Sequence, residues 1–534
     1  MPGLPLQRRH KVLLFPALLL FFSTGAAAQT NSSVSQTQLN GEQNTARALE
    51  LARANPLALR AFLVDMPKGG DLHNHLSGAV YAESWIRGAA EDQLCIDRAT
   101  LSFSKPQPDG GAAPSCGEGK VPASEAAKDQ HLYDTLIDAF SMRGFVPSTG
   151  VTGPDHFFAT FEKFGGADPP QVGSFATHIG EWLDEVATRA AAQNEQYLEL
   201  MHTPNFAHTA AIASEIGWKY DFAQLRQDLL DRGLRNDVAV ASTSLDRAEA
   251  LRLQRESCGV QGESPACRVK IRYLYQVLRG FPKEQVFAQT LLGFETASVD
   301  PRFVGINFVM PEDGRISMED YTLHMRVVGF LHNLYPKVHI SLHAGELAPG
   351  LVPPEGLCCH IRQAVEYAHA ERIGHGVDVM YEDHPYDLLK EMAALHVMVE
   401  VNLTSNDVIL GVTGKDHPFP IYRKFSVPVA LSTDDEGVSR IEITHEYVRA
   451  VETYGLHYSD LKQMVRTSLE HSFLPGPSLW AAQDMFTRAA PACSAGRLGE
   501  EKRSATCEAF LRGSDKAGQQ WELERRFRIF ESSH

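Results

Sequence analysis

The sequence predicts an α/β barrel of eight parallel strands, each followed by a helix. Three observations predict it. Eight short runs of β-branched or apolar residues recur, helix-length segments of 3.6-residue apolar spacing separate most of them, and several end on histidine or aspartate. Strand alternating with helix argues a parallel sheet, and eight such units argue a closed (β/α)8 barrel. Catalytic groups in such barrels sit at the C-terminal ends of the strands. The runs, numbered one to eight, are GDLHNHLS, EQYLELMH, DVAVAST, FVGINFVM, VHISLHAG, ERIGHG, VMVEVNL and VPVALSTD.

Ahead of the barrel lies a different kind of sequence. Arg8, Arg9 and Lys11 precede an apolar run from Val12 to Phe22, and Ala26–Ala28 follows. That order is a secretory signal, so residues 1–28 are expected to be cleaved and the protein to be secreted or periplasmic. The run is too short to span a bilayer, which argues against a membrane protein after cleavage. Residues 29–45 read as a disordered leader rich in Gln, Asn, Ser and Thr. Residues 45–64 have helical apolar spacing, so 29–65 is a leader and helical arm. The barrel is assigned to residues 66–490, with a Pro/Gly/Ser-rich insertion over about 88–128, and 491–534 is a C-terminal extension.

Composition sets limits on function. The chain has 534 residues, 43% of them apolar and 22% charged, enough to build a large core without metal or disulfides. A formal charge of −16 argues against nucleic acid as a partner and for a small neutral or cationic substrate. Eight cysteines in an exported chain suggest disulfides. Cys95–Cys116, Cys258–Cys267 and Cys493–Cys507 are neighbours in sequence, and Cys358–Cys359 is either a vicinal pair or two free thiols.

The candidate site residues follow the strands. His73 and His75 are two apart on run one, so both imidazoles project from one face and can meet at one point. SLHAGE on run five carries His343 and Glu346, RIGHGV on run six carries His375, and LSTDDEG on run eight carries Asp434 and Asp435. Zinc accepts imidazole nitrogen and carboxylate oxygen, so three histidines and an aspartate are a credible metal site. Each residue alone also has an ordinary structural explanation. A strand-end histidine is usually a hydrogen-bonded core residue, and Asp-Asp before glycine is commonly a turn or helix cap. What argues for chemistry is that all four segments end apolar strands together.

The set PKGGDLHNHLSGA, SLHAGE, RIGHG and STDD, in that order, resembles the adenosine deaminase family of the amidohydrolase superfamily. The signal, arm and cysteine-bearing insertion resemble its secreted, growth-factor-type branch. The resemblance implies one Zn²⁺ per chain held by His73, His75, His343 and Asp434. It implies that Glu346 protonates purine N1, that His375 orients and helps deprotonate the attacking water, and that Asp435 contacts N7. The implied reaction is hydrolytic deamination of adenosine and 2′-deoxyadenosine to the 6-oxopurine and ammonia. Phe157, Phe161 and Phe164 share one helical face, which by spacing alone is either core or lid; the family's apolar gate helix here implies a lid over the base. A homodimer through the arm is a further expectation of the branch resemblance.

Two departures bear on the substrate. Ser77 stands where much of the family has an aspartate that contacts the sugar, and Met310 stands where it has a glycine whose N–H meets purine N3. Asn402, Ser405 and Asn406 are candidates for the pocket wall, with core packing or loop capping open. The alternatives are deamination of another aminopurine, a different mononuclear amidohydrolase reaction, or a nucleoside-binding protein on an inactive scaffold. Run four has no lysine to bridge two metals, and Glu346 and the full ligand set are present.

Overall fold

The computed structural model describes residues 36–109, 112–167 and 175–534. The signal segment 1–28 and the first part of the leader lie outside them. Eight strands form one sheet in chain order: β1 (Gly69–His75), β2 (Glu195–His202), β3 (Lys270–Leu278), β4 (Phe303–Val309), β5 (His339–Ala344), β6 (Arg372–His375), β7 (Met398–Val401) and β8 (Val429–Leu431). Each hydrogen-bonded neighbour is parallel. The sheet closes on itself between β8 and β1 through a single bridge, Asn74 with Asp434. There the Asp434 N–H donates to the His73 carbonyl at 2.8 Å. The buried Asp71 carboxylate reinforces the seam, accepting from the Thr433 hydroxyl at 2.5 Å and the Thr433 N–H at 3.2 Å. Barrel closure thus puts two β1 histidines beside an aspartate from the far end of the sequence.

The strands are buried because helices cover them. Helix Lys283–Val299 is an example, burying Val286, Phe287, Leu291, Leu292 and Phe294 between β3 and β4. Each such side chain contributes roughly 1.5–3 kcal/mol of transfer free energy.

One expected strand is wrong. DVAVAST is not strand three but the start of helix Arg235–Arg255. Its buried positions, Asp237, Ala241, Leu245, Ala248 and Arg252, step three or four residues at a time, which is a helix period. Strand three is KIRYLYQVL, entered directly after the Cys258–Cys267 loop. The leader also differs from expectation. Helix Gln36–Ala52 begins nine residues before the expected arm, and a second helix, Pro56–Asp65, starts at an Asn55 cap followed by proline.

The insertion after β1 folds as a three-stranded antiparallel sheet (Ser102–Ser104, Cys95–Asp97, Lys120–Pro122) plus a hairpin. Cys95–Cys116, Cys258–Cys267 and Cys493–Cys507 are disulfides, and Cys358 bonds Cys359. C-terminal helix Asp515–Ser532 returns to the arm. There buried Lys462 lies 2.5 Å from Glu531 and 2.9 Å from Glu42. Among the described residues, no helix is long and apolar enough to cross a membrane.

Candidate active site

The carboxyl ends of β1, β5, β6 and β8 meet at one point. His73 Nε2 and His75 Nε2 lie 3.1 and 3.2 Å from His343 Nε2, and 3.3 and 3.1 Å from Asp434 Oδ1. The other nitrogen of each ring is already engaged. His73 Nδ1 is 2.6 Å from Glu400 Oε2, His75 Nδ1 is 2.7 Å from Gln276 Oε1, and His343 Nδ1 is 2.7 Å from Asn307 Oδ1. With Nδ1–H donating outward in every case, three Nε2 lone pairs and a carboxylate oxygen face one another.

Four ligands tetrahedrally placed about 2.0–2.1 Å from a zinc ion are separated by roughly 3.3 Å, close to the spacing found here. The donor set therefore fits a tetrahedral N/O-binding cation. Close approach needs a missing side chain: a Cβ on Gly374 would lie 2.5 Å from His73 Cε1.

The second group stands around the same point. Glu346 follows β5 through Gly345, His375 ends β6 and Asp435 follows Asp434, all buried. Glu346 Oε1 is 3.6 Å from His375 Nε2. The Asp435 carboxylate fills space open only because residue 78 is glycine, where a Cβ would be 1.5 Å from Asp435 Oδ1. His375 and Asp434 both have positive φ, 68° and 60°, backbone strain of the kind that gathers at functional sites.

Burial drives the electrostatics. It pushes the Glu346 carboxyl well above the ordinary range, and the charge of Asp434 adds to the effect. Burial likewise raises Asp435 to about 7, with His75 opposing and Asp434 adding. It drives His375 down to about 3. At His73 burial is outweighed by Asp434 and Glu400, which lift it to about 10. Burial likewise drives His343 well down, with His73 and His75 adding to the effect, so the buried point raises its neighbouring carboxyls Glu346 and Asp435 and lowers two of its imidazoles.

A hydrogen-bond chain sets the tautomer of His375. The Phe419 N–H donates to His417 Nδ1 at 3.1 Å, and His417 Nε2 is 2.9 Å from Asn406 Oδ1. Asn406 Nδ2 then donates to His375 Nδ1 at 2.9 Å. His375 Nε2 is left carrying the proton, directed at the site. Ser405 holds Asp434 Oδ2 at 2.6 Å, and Asn402 Nδ2 is 3.5 Å from His375 Nδ1. Asn402, Ser405 and Asn406 therefore orient site residues.

Several of these groups escaped the sequence reading: Gln276, Asn307, Glu400, His417 and Arg279. Asn307 and Glu400 are polar residues inside otherwise apolar strands, which is the available signal; Gln276 sits on the strand that the sequence pattern misplaces. Arg279, fully buried just past β3, donates to the Met310 and His343 carbonyls, at 3.2 Å each. Met310 has φ 91° and turns its thioether onto Gly280, whose N–H reaches Sδ at 3.3 Å. Ser77 is half-buried beside Gly78.

Helix Gly153–Phe164 rests on helix Leu403–Leu410, the element carrying Ser405 and Asn406. Its Phe157 is buried with its ring centroid 5.7 Å from that of half-buried Phe161, and Phe164 stacks on Trp85 at 4.5 Å. Phe164 is thus core packing, whereas Phe161 keeps a partly open face.

Comparison with known proteins agrees with this geometry. The adenosine deaminase family model matches residues 181–484, more than half the chain. Adenosine deaminase of Clostridium perfringens is 35% identical over 135 residues, 25% of this chain and 37% of that one, so the match spans little more than a third of that relative. The adenosine deaminase of Vibrio atlanticus is 26% identical over 322 residues, 60% of this chain and 79% of that one. Among solved structures, a Burkholderia ambifaria amidohydrolase with bound Zn superposes with TM-score 0.51 at 15% identity, covering 89% and 94% of the two chains. An Arabidopsis N6-mAMP deaminase gives 0.50 at 19%, covering 77% and 95%. These two share the fold. Taken with the family match, they leave a plain conclusion: this chain belongs to the adenosine deaminase family.

Proposed function

We propose that this protein is a zinc-dependent hydrolase that converts adenosine and 2′-deoxyadenosine to the corresponding inosine and ammonia. The observation that carries the reading is the convergence of His73, His75, His343 and Asp434 beside Glu346, His375 and Asp435. The family match and the Zn named in the Burkholderia structure support it. A zinc ion on the four ligands would supply Lewis acidity and bring the pKa of water toward neutrality.

The chain's own groups do the rest. Attack at C6 breaks the aromaticity of the ring, so a proton must reach N1 as the C–O bond forms. Glu346, kept neutral by burial, is the proton donor to N1. His375 carries hydrogen on Nε2, so it orients the attacking oxygen as a donor. Asp435, buried beside the ligand Asp434, is the group placed to hydrogen-bond N7. The attacking water gives up both its protons as C6 takes its oxygen: one is passed to the amino group, the C6–N6 bond breaks and ammonia leaves, and the other restores the Glu346 carboxyl, while N1 keeps the proton Glu346 supplied. Arg279, the cation just past β3, is fully buried with Nε and Nη1 on the Met310 and His343 carbonyls and Nη2 facing Glu312 at 3.9 Å, so it is turned to the protein rather than held open for a phosphate, which supports an uncharged nucleoside. Phe161 is the residue proposed to close over the base. Export of the mature chain and dimerisation through the arm belong to the same proposal, and N-terminal sequencing and sedimentation test them.

The test is turnover of adenosine by the zinc-loaded mature protein, followed by ultraviolet absorbance and ammonia release. Adenine, AMP and 2′-deoxyadenosine run alongside. Adenosine turnover abolished in Glu346→Gln is expected. Turnover of AMP or adenine but not adenosine would move the substrate, and Ser77 and Met310 are the residues to examine then.

A further inference from the structure

We infer that Glu312 and His360 are positioning residues that aim Glu346. The inference rests on Glu346 being the acid of the proposed deaminase. Where β5 ends, the chain turns at Gly345 (φ 76°), and its next two N–H groups have left the ladder. One carboxylate takes both. The Gly345 N–H donates to Glu312 Oε1 at 3.0 Å and the Glu346 N–H to Glu312 Oε2 at 2.8 Å.

Glu312 is held in turn. His360 Nδ1 lies 2.5 Å from its Oε1, and the His360 ring stacks on Tyr321 with centroids 3.6 Å apart and planes 4° apart. Tyr321 also donates to the His360 carbonyl at 3.0 Å, and Arg279 Nη2 stands 3.9 Å from Glu312 Oε2. Glu312, His360, Tyr321 and Arg279 are all buried.

Among the described residues, the Glu346 carboxyl has no comparable grip of its own. Its carboxylate lies 3.6 Å from His375 Nε2, longer than a hydrogen bond. Its placement therefore comes from the backbone, at a glycine, the residue whose dihedrals are least confined. A two-point clamp on Gly345 and Glu346 removes that freedom. Proton delivery to a ring nitrogen needs hydrogen-bond distance, and a 1 Å error in such placement can cost about a hundredfold in rate.

The experiment is steady-state kinetics on adenosine with zinc-loaded protein, alongside metal content and thermal melting. His360→Phe keeps the stack on Tyr321 and removes the N–H, whereas His360→Asn restores a donor near Nδ1. Glu312→Gln weakens the clamp itself. Expected for His360→Phe is a kcat loss of about 10- to 100-fold with KM and zinc content unchanged. His360→Asn should recover most of it. A purely structural role would lower melting temperature and metal content without this split. Wild-type kcat in His360→Phe, a loss that follows zinc content, or no rescue by asparagine overturns the inference, and the His360 pair decides even if Glu312→Gln fails to fold. A wild type inactive on every aminopurine, or an active Glu346→Gln, removes the deaminase reading and the inference with it.

Discussion

The two ends of this barrel hold the same kinds of side chain and do different things with them. At the carboxyl end three histidines aim Nε2 at one point shared with Asp434. At the amino end His396 Nδ1 and His471 Nε2 each take a different oxygen of Asp484, both at 2.7 Å. His339 pairs with Glu371 at 2.9 Å in the same region. There each of these three rings is hydrogen-bonded to a carboxylate oxygen, Asp484 serving two of them, and the rings do not turn toward one shared point. At the mouth each Nδ1 is engaged outward, which frees three Nε2 lone pairs to face inward. What separates a metal centre from an ion-pair cluster is therefore the partner of the second ring nitrogen, not the composition of the cluster.

The largest effect that sharpens this contrast is removal of a convergent ligand. His343→Ala should abolish stoichiometric zinc binding and lower turnover by on the order of 10⁴-fold, read by metal analysis and ammonia release. Asp484→Asn at the other end should leave zinc and turnover at wild-type values. Equal metal loss from both would break the comparison. Next comes the outward partner: Gln276→Leu deprives His75 Nδ1 of its acceptor and should weaken zinc affinity about 10- to 100-fold in a chelator competition.

Gln276 also shows where the sequence stops being readable. Seven strands stood out as apolar runs bounded by polar chemistry, and the ligands were legible because they end those runs. The third strand was misplaced onto Asp237–Thr243, whose β-branched residues mimic a strand while their burial follows a helix. That error hid Gln276 inside KIRYLYQVL and hid Arg279 one residue beyond it. Asn307 and Glu400 were detectable as polar residues inside FVGINFVM and VMVEVNL, but what they hold lies on other strands. His360 and His417 act across tertiary contacts with no local signature. Local pattern fixes which residues end a strand, and closure of the barrel fixes whom they meet.

The amino-end cluster makes a smaller, pH-dependent prediction. Burial works against charge on Asp484, but hydrogen bonds from His471 and His396 outweigh it and hold the carboxyl below its ordinary value. A carboxyl depressed in the folded state binds its proton less readily there than in the unfolded chain. Its stabilisation is therefore present above the unfolded value near 4 and is lost as pH falls through the folded value. Asp484→Asn should cost about 1–3 kcal/mol at pH 7. It should also flatten the acid limb of melting temperature against pH. An unchanged acid limb would show that the two histidines contribute nothing through this carboxylate.

The smallest effect belongs to the mouth, at Met310, a bulky residue at φ 91°. A non-glycine residue held there costs on the order of 1–3 kcal/mol. Met310→Gly relieves that strain but adds roughly 0.5–1 kcal/mol of chain entropy to the unfolded state and gives up the thioether contact with Gly280. These terms oppose, so the variant should stay within about 1 kcal/mol of wild type in a denaturant titration. Met310→Val keeps a Cβ, branches it and loses the thioether, so it should be clearly less stable than Met310→Gly. If the order is reversed, contact with Gly280 rather than backbone strain governs this corner. The mouth would then be held by packing, as the opposite end is held by histidine–carboxylate hydrogen bonds.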